Sequence, residues 1–134
     1  MRGLEFAYQQ TLSGQEIRRM RKRINLKQKE FAVLVKVSVK TVQHWESGKT
    51  EVSGPVTVLL KILKETPGLI AELTVPEKRY PLRLKYYCEN ELCTVIDVDE
   101  RNQMIYVKNF VRDYMYRAFG RKENPDYRDY QEFL

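Results

Sequence analysis

The chain has 134 residues, of which 43% are hydrophobic and 31% are charged, with nine tyrosines and a formal net charge of +6 at pH 7. This composition excludes a disordered chain, and the length allows one core of moderate size or two small ones. The longest apolar run near the middle, VTVLL, is far shorter than the roughly 20 residues that span a bilayer. MRGLEFAYQQ also lacks a signal peptide's apolar segment, so we expect a cytoplasmic protein without a membrane segment. Of the two arrangements that the length allows, we expect two small domains.

The first predicted helix follows an N-terminal tail, residues 1–12. Ser13 and Glu16 have the spacing of a capping box, apolar residues follow at helical intervals, and Asn25 ends the helix. The apolar residues of this helix are Ile17, Met20 and Ile24.

A second and a third helix are predicted with only a few residues, around Lys36 and Val37, between them. The second begins near Gln28, and the third is capped by Ser38 and ends before Gly48. The residues that the second helix is expected to bury are Phe31, Ala32, Leu34 and Val35.

Two more helices complete this part of the chain. Ser53 and Pro55 begin the fourth, and Pro67 begins a short fifth. Their apolar residues are Val56, Leu59, Leu60 and Leu63 in the fourth helix and Leu69, Ile70 and Leu73 in the fifth. The sequence therefore predicts a mainly α N-terminal domain of five helices over residues 13–75.

A change from helix to sheet follows, between Pro76 and Pro81. LRLKYYCE, LCTVIDVD and QMIYVKNF are rich in Val, Ile, Tyr and Leu at strand-like lengths. Turns at residues 90–91 and 100–102 would join them into an antiparallel β-meander. Residues 76–134 are thus predicted to form a small α+β module.

The last predicted element is a helix that begins at Asn124 or Asp126 and completes the α+β module. The chain stops at DYQEFL, within this amphipathic segment, so it remains open whether the natural protein is longer.

The positive charge is concentrated in the helical domain. Residues 13–75 hold 12 Lys and Arg against 6 Asp and Glu, whereas residues 76–134 hold 11 of each. A local excess of cations suits the neutralisation of phosphates, although solvated side chains on helix exteriors give the same count. Charge alone leaves nucleic-acid binding open.

The stretch QKEFAVLVKVSVKTVQHWES, residues 28–47, resembles the helix-turn-helix of the phage-repressor and Cro-like (XRE-type) DNA-binding domains. The resemblance covers residues 13–73. Ala32 is small enough for two helices to cross closely, and Val37 fills the turn between them. Where the family usually has glycine, this chain has Lys36, which must adopt a left-handed backbone at a cost of about 1 kcal/mol.

The resemblance assigns the outer face of the third helix to DNA. Val42 and Trp45 share the inner face, and in this family the N-terminal end of the third helix enters the major groove. The residues that would then read bases are Val39, Lys40, Gln43 and His44. Lys40 could donate to guanine, Gln43 could pair with adenine, and Val39 could pack on a thymine methyl.

By the same resemblance, a second group of polar residues binds the DNA backbone. These residues are Gln28, Ser38, Thr41, Ser47 and Lys49. Gln28 should donate to a phosphate, helped by the positive end of its helix, and the group as a whole would fix the register of the protein on DNA. The competing interpretation is a helix-bundle surface whose polar side chains are only solvated.

The stretch SGPVTVLLKILKETPGLIAEL, residues 53–73, most resembles the DNA-binding domains of MqsA-type and HigA-type antitoxins. This resemblance implies a homodimer on a palindromic operator and repression of the protein's own operon. Leu69, Ile70 and Leu73 are the candidate dimer contact, unless this short helix only closes its own core.

The remaining candidates for chemistry lie in the α+β module. Cys88 and Cys93 could form half of a zinc site or a disulfide, but their spacing is not CxxC and the only histidine lies in the third helix. Reduced, packed thiols and no metal or cofactor are therefore expected. Asp97, Asp99 and Glu100 are expected to be solvated beside a turn. No catalytic motif is present, and we expect no enzyme.

The sequence thus predicts a sequence-specific DNA-binding transcriptional regulator, a repressor that acts as a dimer on an operator. The alternative is an antitoxin-like protein whose C-terminal module binds and neutralises a partner protein. The predicted partners are double-stranded DNA, a second copy of the chain, and a protein bound through residues 76–134, where exposed aromatic residues would make the contact.

Overall fold

The chain divides into two compact units, Met1–Ala71 and Glu72–Leu134, which we call the N-terminal unit and the C-terminal unit. A computed structural model describes residues 3–134. Met1 and Arg2, the first residues of the predicted tail, lie outside this range. Within it, no helix combines the length and the apolar content needed to cross a membrane.

Helices occupy most of residues 14–73, which confirms the predicted helical N-terminal region. They are α1 (Gly14–Arg23), α2 (Gln28–Val35), α3 (Val39–Glu46), α4 (Pro55–Glu65) and α5 (Gly68–Leu73). The side chains buried in the core of the N-terminal unit include Leu12, Ile17, Phe31, Val42, Leu60 and Leu63.

Local side-chain bonds explain where these helices begin. The Ser13 hydroxyl accepts from the Glu16 amide at 3.2 Å, and the Glu16 carboxylate accepts from the Ser13 amide at 3.2 Å, which is the predicted capping box. The Ser38 hydroxyl accepts from the Thr41 amide at 3.1 Å and caps α3. Asn25, which was expected to end the first helix, has a left-handed backbone with φ of 58°.

A two-stranded sheet joins the end of the N-terminal segment to the residues before α4. Strands β1 (Thr11–Leu12) and β2 (Val52–Ser53) are antiparallel, with Leu12 opposite Val52 and both side chains buried. The sequence analysis missed this sheet and placed residues 11 and 12 in the tail. Two-residue strands are too short to show a hydrophobic period.

The C-terminal unit contains the predicted three-stranded antiparallel sheet and helix. Strands β3 (Leu82–Cys88), β4 (Glu91–Asp99) and β5 (Met104–Asn109) lie in the order β3-β4-β5. A 3-10 turn at Tyr114–Tyr116 and helix α6 (Tyr127–Phe133) follow. One face of the sheet packs against α6, and this core contains Ile96, Val98 and Tyr130, with Leu84, Ile105, Val107 and Phe119 against it.

The first hairpin differs from the prediction by one residue. Cys88 pairs with Glu91, so the turn consists of Glu89 and Asn90, and Glu89 has a left-handed φ of 56°. Near this turn the register shifts between Tyr86 and Tyr87, and Cys93 is the extra residue of a β-bulge in β4.

The opposite face of the sheet contains a buried ion pair. Asp97 is fully buried and accepts from Arg83 Nε at 2.6 Å, from Arg83 Nη2 at 2.8 Å and from the Arg79 amide at 2.8 Å. The expectation that Asp97 is solvated beside a turn is therefore wrong. It lies within β4, directly opposite Arg83, and only Asp99 and Glu100 border the turn.

Candidate nucleic-acid interface

The turn between α2 and α3 has the geometry that the sequence analysis required. The Val37 amide donates to the Ala32 carbonyl at 3.0 Å, and the Lys36 amide donates to the Val33 carbonyl at 3.3 Å. These bonds form a Schellman motif, which needs a left-handed residue after the helix. Lys36 takes that conformation, with φ of 60° and ψ of 45°.

Helix α3 has one face in the core and one face in solvent. Val42 is fully buried, and Trp45 is half-buried and packs against the same core, as predicted. Three of the four predicted base-reading side chains, Lys40, Gln43 and His44, are exposed. The fourth, Val39, is half-buried and packs partly against the core, so only part of its side chain faces solvent.

A buried ion pair joins α1 to the C-terminal end of α3. Arg21 Nε donates to Glu46 Oε2 at 2.7 Å and Arg21 Nη2 donates to Glu46 Oε1 at 2.9 Å, with side-chain exposures of 9% and 5%. Arg21 Nη1 also donates to the Leu26 carbonyl at 2.9 Å. A bidentate pair fixes the orientation of the two side chains as well as the distance between them, so it helps to set the orientation of α3 relative to α1.

The same ion pair holds a predicted phosphate ligand. Gln28 Nε2 donates to Glu46 Oε1 at 3.3 Å, which orients the amide at the start of α2. Burial alone would raise the pKa of Glu46, but hydrogen bonds from Arg21 and Gln28 outweigh burial and lower it. Glu46 is therefore a stable anion that positions Gln28.

A close approach between α1 and the end of α3 depends on a glycine. A Cβ atom at Gly14 would lie 2.4 Å from the Trp45 carbonyl oxygen and 2.9 Å from the Gly48 amide nitrogen. Both neighbours are backbone atoms, which cannot rotate away. Gly14 is therefore the residue that lets the start of α1 contact the last turn of α3.

The exposed face of α3 borders a hollow lined by cations. Val39, Gln43 and Ser47 form one side of a hollow of about 680 Å³. The cationic side chains around it are Arg18, Lys27 and Lys29, in addition to the paired Arg21. Arg18 also borders a neighbouring hollow, which Lys49 lines as well. The sequence analysis did not single out Arg18, although its position one residue after the buried Ile17 places it on the edge of the exposed face of α1.

The hydroxyl groups among the predicted phosphate ligands are partly engaged within the protein. The hydroxyls of Ser38 and Thr41 are 2.9 Å apart, so one donates to the other and one hydroxyl hydrogen stays free. Ser47 donates its hydroxyl hydrogen to the His44 carbonyl at 2.6 Å. Ser47 must release that bond before it can donate to a phosphate, whereas Lys49 is exposed.

A family model matches residues 5–74, just over half of the chain, and it describes the antitoxin component of a bacterial toxin-antitoxin system, MqsA. The chain belongs to this family. The predicted resemblance to MqsA-type antitoxins is thereby confirmed. No curated protein matches the chain. The match ends at Thr74 and does not extend over the sheet and α6, which the sequence analysis also could not assign to a family.

Beyond the matched antitoxin region, the cysteines are free thiols, Cys93 buried and Cys88 half-buried. Burial raises the pKa of the Cys93 thiol, with a contribution from the neighbouring Cys88. Within residues 3–134, no group of three His, Cys, Asp or Glu side chains is arranged to hold a metal ion.

The burial of Arg21 in this antitoxin-family domain has a signal in the sequence that the prediction overlooked. Arg21 lies between Ile17 and Ile24 on the buried face of α1. A charged residue at an apolar position of a helix predicts a buried partner. The sequence did not identify Glu46 as that partner, because it lies 25 residues away on another helix.

Proposed function

We propose that this protein is a DNA-binding transcriptional regulator of the antitoxin type, which acts in the cytoplasm and has no catalytic activity. The observation that carries the proposal is the exposed face of α3, where Lys40, Gln43 and His44 are exposed to solvent and Gln43 also lines a hollow with several cationic side chains. Donors and acceptors on a rigid helix can read the major groove, and cations beside them can neutralise phosphates.

In the proposed complex, α3 enters the major groove and its side chains divide by chemistry. Lys40 donates to guanine O6 or N7, and Gln43 forms a bidentate pair with adenine. His44 reaches a base edge or a phosphate. Val39 offers the exposed part of its side chain to a thymine methyl, and its packing against the core limits this contact to one direction.

The proposed contacts with the DNA backbone come from residues of α1, from the starts of α2 and α3, and from the residues after α3. Gln28 donates its second amide hydrogen, the Ser38–Thr41 pair donates its free hydroxyl hydrogen, and Lys49 supplies a charge. Arg18 is an additional phosphate ligand, because it borders both hollows and makes no ion pair within residues 3–134. Ser47 contributes least, since its hydroxyl hydrogen is already donated to His44.

The proposed regulator binds as a homodimer to an operator of two inverted half-sites and represses transcription by occluding the promoter. Leu69 and Ile70 pack against the core of their own chain, so they contribute little to a dimer contact. Leu73 of the predicted contact remains exposed. Sedimentation of the full chain, free and bound to DNA, measures the stoichiometry directly.

The second candidate function is neutralisation of a partner protein, with DNA binding secondary. The family match favours it, because the matched family is the antitoxin component of a toxin-antitoxin system. The C-terminal unit, which lies almost entirely outside the matched residues, would then hold the partner. Both functions can coexist in one chain, one in each unit.

Selection of duplexes from a random pool with the full-length chain tests the proposed function. The expected result is one enriched inverted repeat that binds at least about 10³-fold more tightly than scrambled DNA at physiological salt. Equal binding to every duplex, or none at all, would refute sequence-specific regulation and leave partner neutralisation as the surviving candidate.

A further inference from the structure

The C-terminal unit exposes three large side chains in a row. In the turn Tyr114–Tyr116, which we call the YMY turn, the exposed fractions are 39% for Tyr114, 80% for Met115 and 48% for Tyr116. Met115 departs most from the usual burial of a large apolar side chain, and the two tyrosines on either side of it are also far more exposed than Tyr130, which is buried in the core of the same unit. Consecutive exposed side chains of these types form a patch, and such patches mark interaction sites.

This exposure does not come from a loose loop. The Asp113 carboxylate accepts from the Met115 amide at 3.0 Å, and the Cys88 thiol donates to the Tyr116 carbonyl at 3.3 Å. Just after the turn, the Ala118 amide donates to Thr94 Oγ1 at 3.1 Å. These bonds anchor the turn to β3 and β4, so its backbone is held in a fixed geometry and a partner would have little backbone ordering entropy to overcome.

Two arginines without a carboxylate partner in the described part of the chain lie beside the YMY turn. The guanidinium carbons of Arg117 and Arg121 lie 4.8 and 5.3 Å from the centre of the Tyr114 ring. Arg117 Nε donates to the Val111 carbonyl at 2.8 Å, which holds its side chain in place. Within residues 3–134 neither arginine has a carboxylate partner, whereas the nearby Lys122 is paired with Asp129. The patch is therefore apolar at its tip, with two unpaired guanidinium groups and the single carboxylate of Asp113 beside it.

We propose that the YMY turn is the docking surface of the C-terminal unit for a protein partner that presents an apolar pocket rimmed by carboxylates. Met115 enters the pocket, Tyr116 packs on its edge, and Arg117 and Arg121 pair with the rim. The inference deepens the partner-binding part of the proposed function and rests on it. Charge complementarity selects an acidic partner, and Tyr, Met and Arg are the residue types enriched at protein interfaces.

A nucleic acid fits this surface less well. The Tyr114 ring is already in contact with two guanidinium groups, so it is a poor platform for base stacking. The most exposed residue, Met115, has no donor or charge for a phosphate or a base edge. The apolar tip therefore favours a protein pocket over a strand of RNA or DNA.

The test selects peptides from a random display library on the immobilised full-length chain and measures their affinity by calorimetry. The expected peptides carry Leu, Phe or Met flanked by Asp and Glu. Met115→Asp should weaken their binding about tenfold or more, as expected for an anchor residue. Met104→Asp, at an exposed methionine on β5, is the matched control and should leave binding unchanged.

A charge reversal at the rim gives a second readout. Arg121→Glu should weaken acidic peptides and should shift selection towards basic ones, while Arg101→Glu, at an exposed arginine of the β4–β5 turn, should do neither. Enrichment of peptides without acidic residues, or equal binding to Met115→Asp and the unaltered chain, would overturn the proposal.

Three further measurements distinguish a protein-docking surface from a nucleic-acid site, from a contact between two copies of the chain, and from a failure of the proposed DNA-binding function. Binding of single-stranded RNA or DNA that Met115→Asp abolishes would make the patch a nucleic-acid site and overturn the proposal. A change in oligomeric state in Met115→Asp alone would assign the patch to a second copy of the chain and would also overturn it. Met115→Asp should bind the selected operator duplex with the same affinity as the unaltered chain. If the unaltered chain binds no duplex, the proposed DNA-binding function is refuted, and the proposal for the YMY turn is judged by the peptide measurements alone.

Discussion

Single side chains on α3 are expected to contribute to DNA binding in two different ways. Lys40 and Gln43 are exposed at the face proposed to meet base edges, whereas Lys49 lies beyond the helix, beside the hollow that Arg18 also borders. A base contact discriminates between sequences, and a phosphate contact strengthens binding to every sequence alike. Substitutions of base-contacting residues should therefore change sequence preference, and substitutions of phosphate-contacting residues should change the affinity for every sequence.

The first prediction compares these groups. Gln43→Ala and Lys40→Ala should each relax the preference at one or two base pairs by about 1 to 3 kcal/mol, while Lys49→Ala should weaken all duplexes and reduce the salt slope by about one unit. Titrations on the selected operator and on scrambled DNA across a salt series measure both effects, with folding checked by circular dichroism. Equal losses on both DNAs for Gln43→Ala and Lys40→Ala would refute the proposed docking of α3.

The second prediction concerns Glu46 and acid. The pKa of Glu46 is lowered in the folded state, so at acid pH the unfolded chain binds more protons than the folded one. The contribution of the Glu46 carboxylate to the free energy of unfolding is therefore lost as the pH falls from about 4.5, the ordinary glutamate value, through the lowered pKa of the folded state. Glu46→Ala at neutral pH should cost about 3 to 5 kcal/mol, because it leaves Arg21 buried without a partner. Urea unfolding across pH should show a weaker acid dependence for Glu46→Gln than for the unaltered chain.

Glu65→Gln is the matched control for this experiment. Glu65 pairs with Lys61 on the exposed side of α4, where both side chains are about half exposed or more. An exposed pair of this kind contributes little to stability. An acid dependence that Glu46→Gln and Glu65→Gln reduce equally would show that the Arg21–Glu46 pair has no special role.

At the scale of elements, the positions of the helices depend on one unusually close contact. The start of α1 and the last turn of α3 meet at Gly14, where any side chain would collide with backbone atoms. Because α3 is the proposed reading helix, a shift at this contact moves Gln43 and His44 relative to the bases. In the proposed complex, stability and DNA recognition are therefore expected to be coupled through α1.

The third prediction follows from this contact. Gly14→Ala should destabilise the N-terminal unit by about 1 to 3 kcal/mol, because the backbone of α3 must move to admit the methyl group. Its affinity for the selected operator should fall more than its affinity for scrambled DNA. Gly68→Ala in α5, where a Cβ meets nothing within 4 Å, is the control. Unchanged melting of Gly14→Ala, measured by circular dichroism, would contradict the close approach.

The elements that sequence predicted well are those with a local signal. Ser13 and Ser38 define helix starts through bonds to residues three positions away, so their sequence pattern is sufficient, whereas the left-handed Lys36 was expected from the family resemblance. The missed features join residues far apart in sequence. Thr11 pairs with Ser53, and Arg21 pairs with Glu46, and no local pattern specifies either partner.

The candidate site was predicted in the same uneven way. The exposed face of α3 follows from its 3.6-residue period, but the half-burial of Val39 depends on how closely the whole core packs. The burial of Asp97 depends on the strand register that places it opposite Arg83. A one-residue change of register would have moved Asp97 to the other face of the sheet, so composition near a turn was a poor guide.

At the scale of the whole molecule, charge and family support the proposal that the two units have different tasks. Residues 13–75 hold twice as many cations as anions and lie almost entirely within the antitoxin-family match, while residues 76–134 are balanced in charge. Affinity for duplex DNA comes largely from phosphate neutralisation and should therefore reside in the N-terminal unit. In the balanced C-terminal unit, Arg117 and Arg121 lie against the Tyr114 ring at the YMY turn and pair with no carboxylate within residues 3–134.

The fourth prediction separates these tasks physically. A chain of residues 1–75 should retain binding to duplex DNA, with the logarithm of the association constant falling linearly as the logarithm of salt concentration rises, because each cation that meets a phosphate releases a counterion. Residues 76–134 alone should not bind duplex DNA. Fluorescence anisotropy over a salt series measures both, and the single tryptophan, Trp45, reports folding of the shorter chain because it packs against its core. If the folded 1–75 chain failed to bind while residues 76–134 bound duplex DNA, the assignment of DNA binding to the N-terminal unit would have to be abandoned.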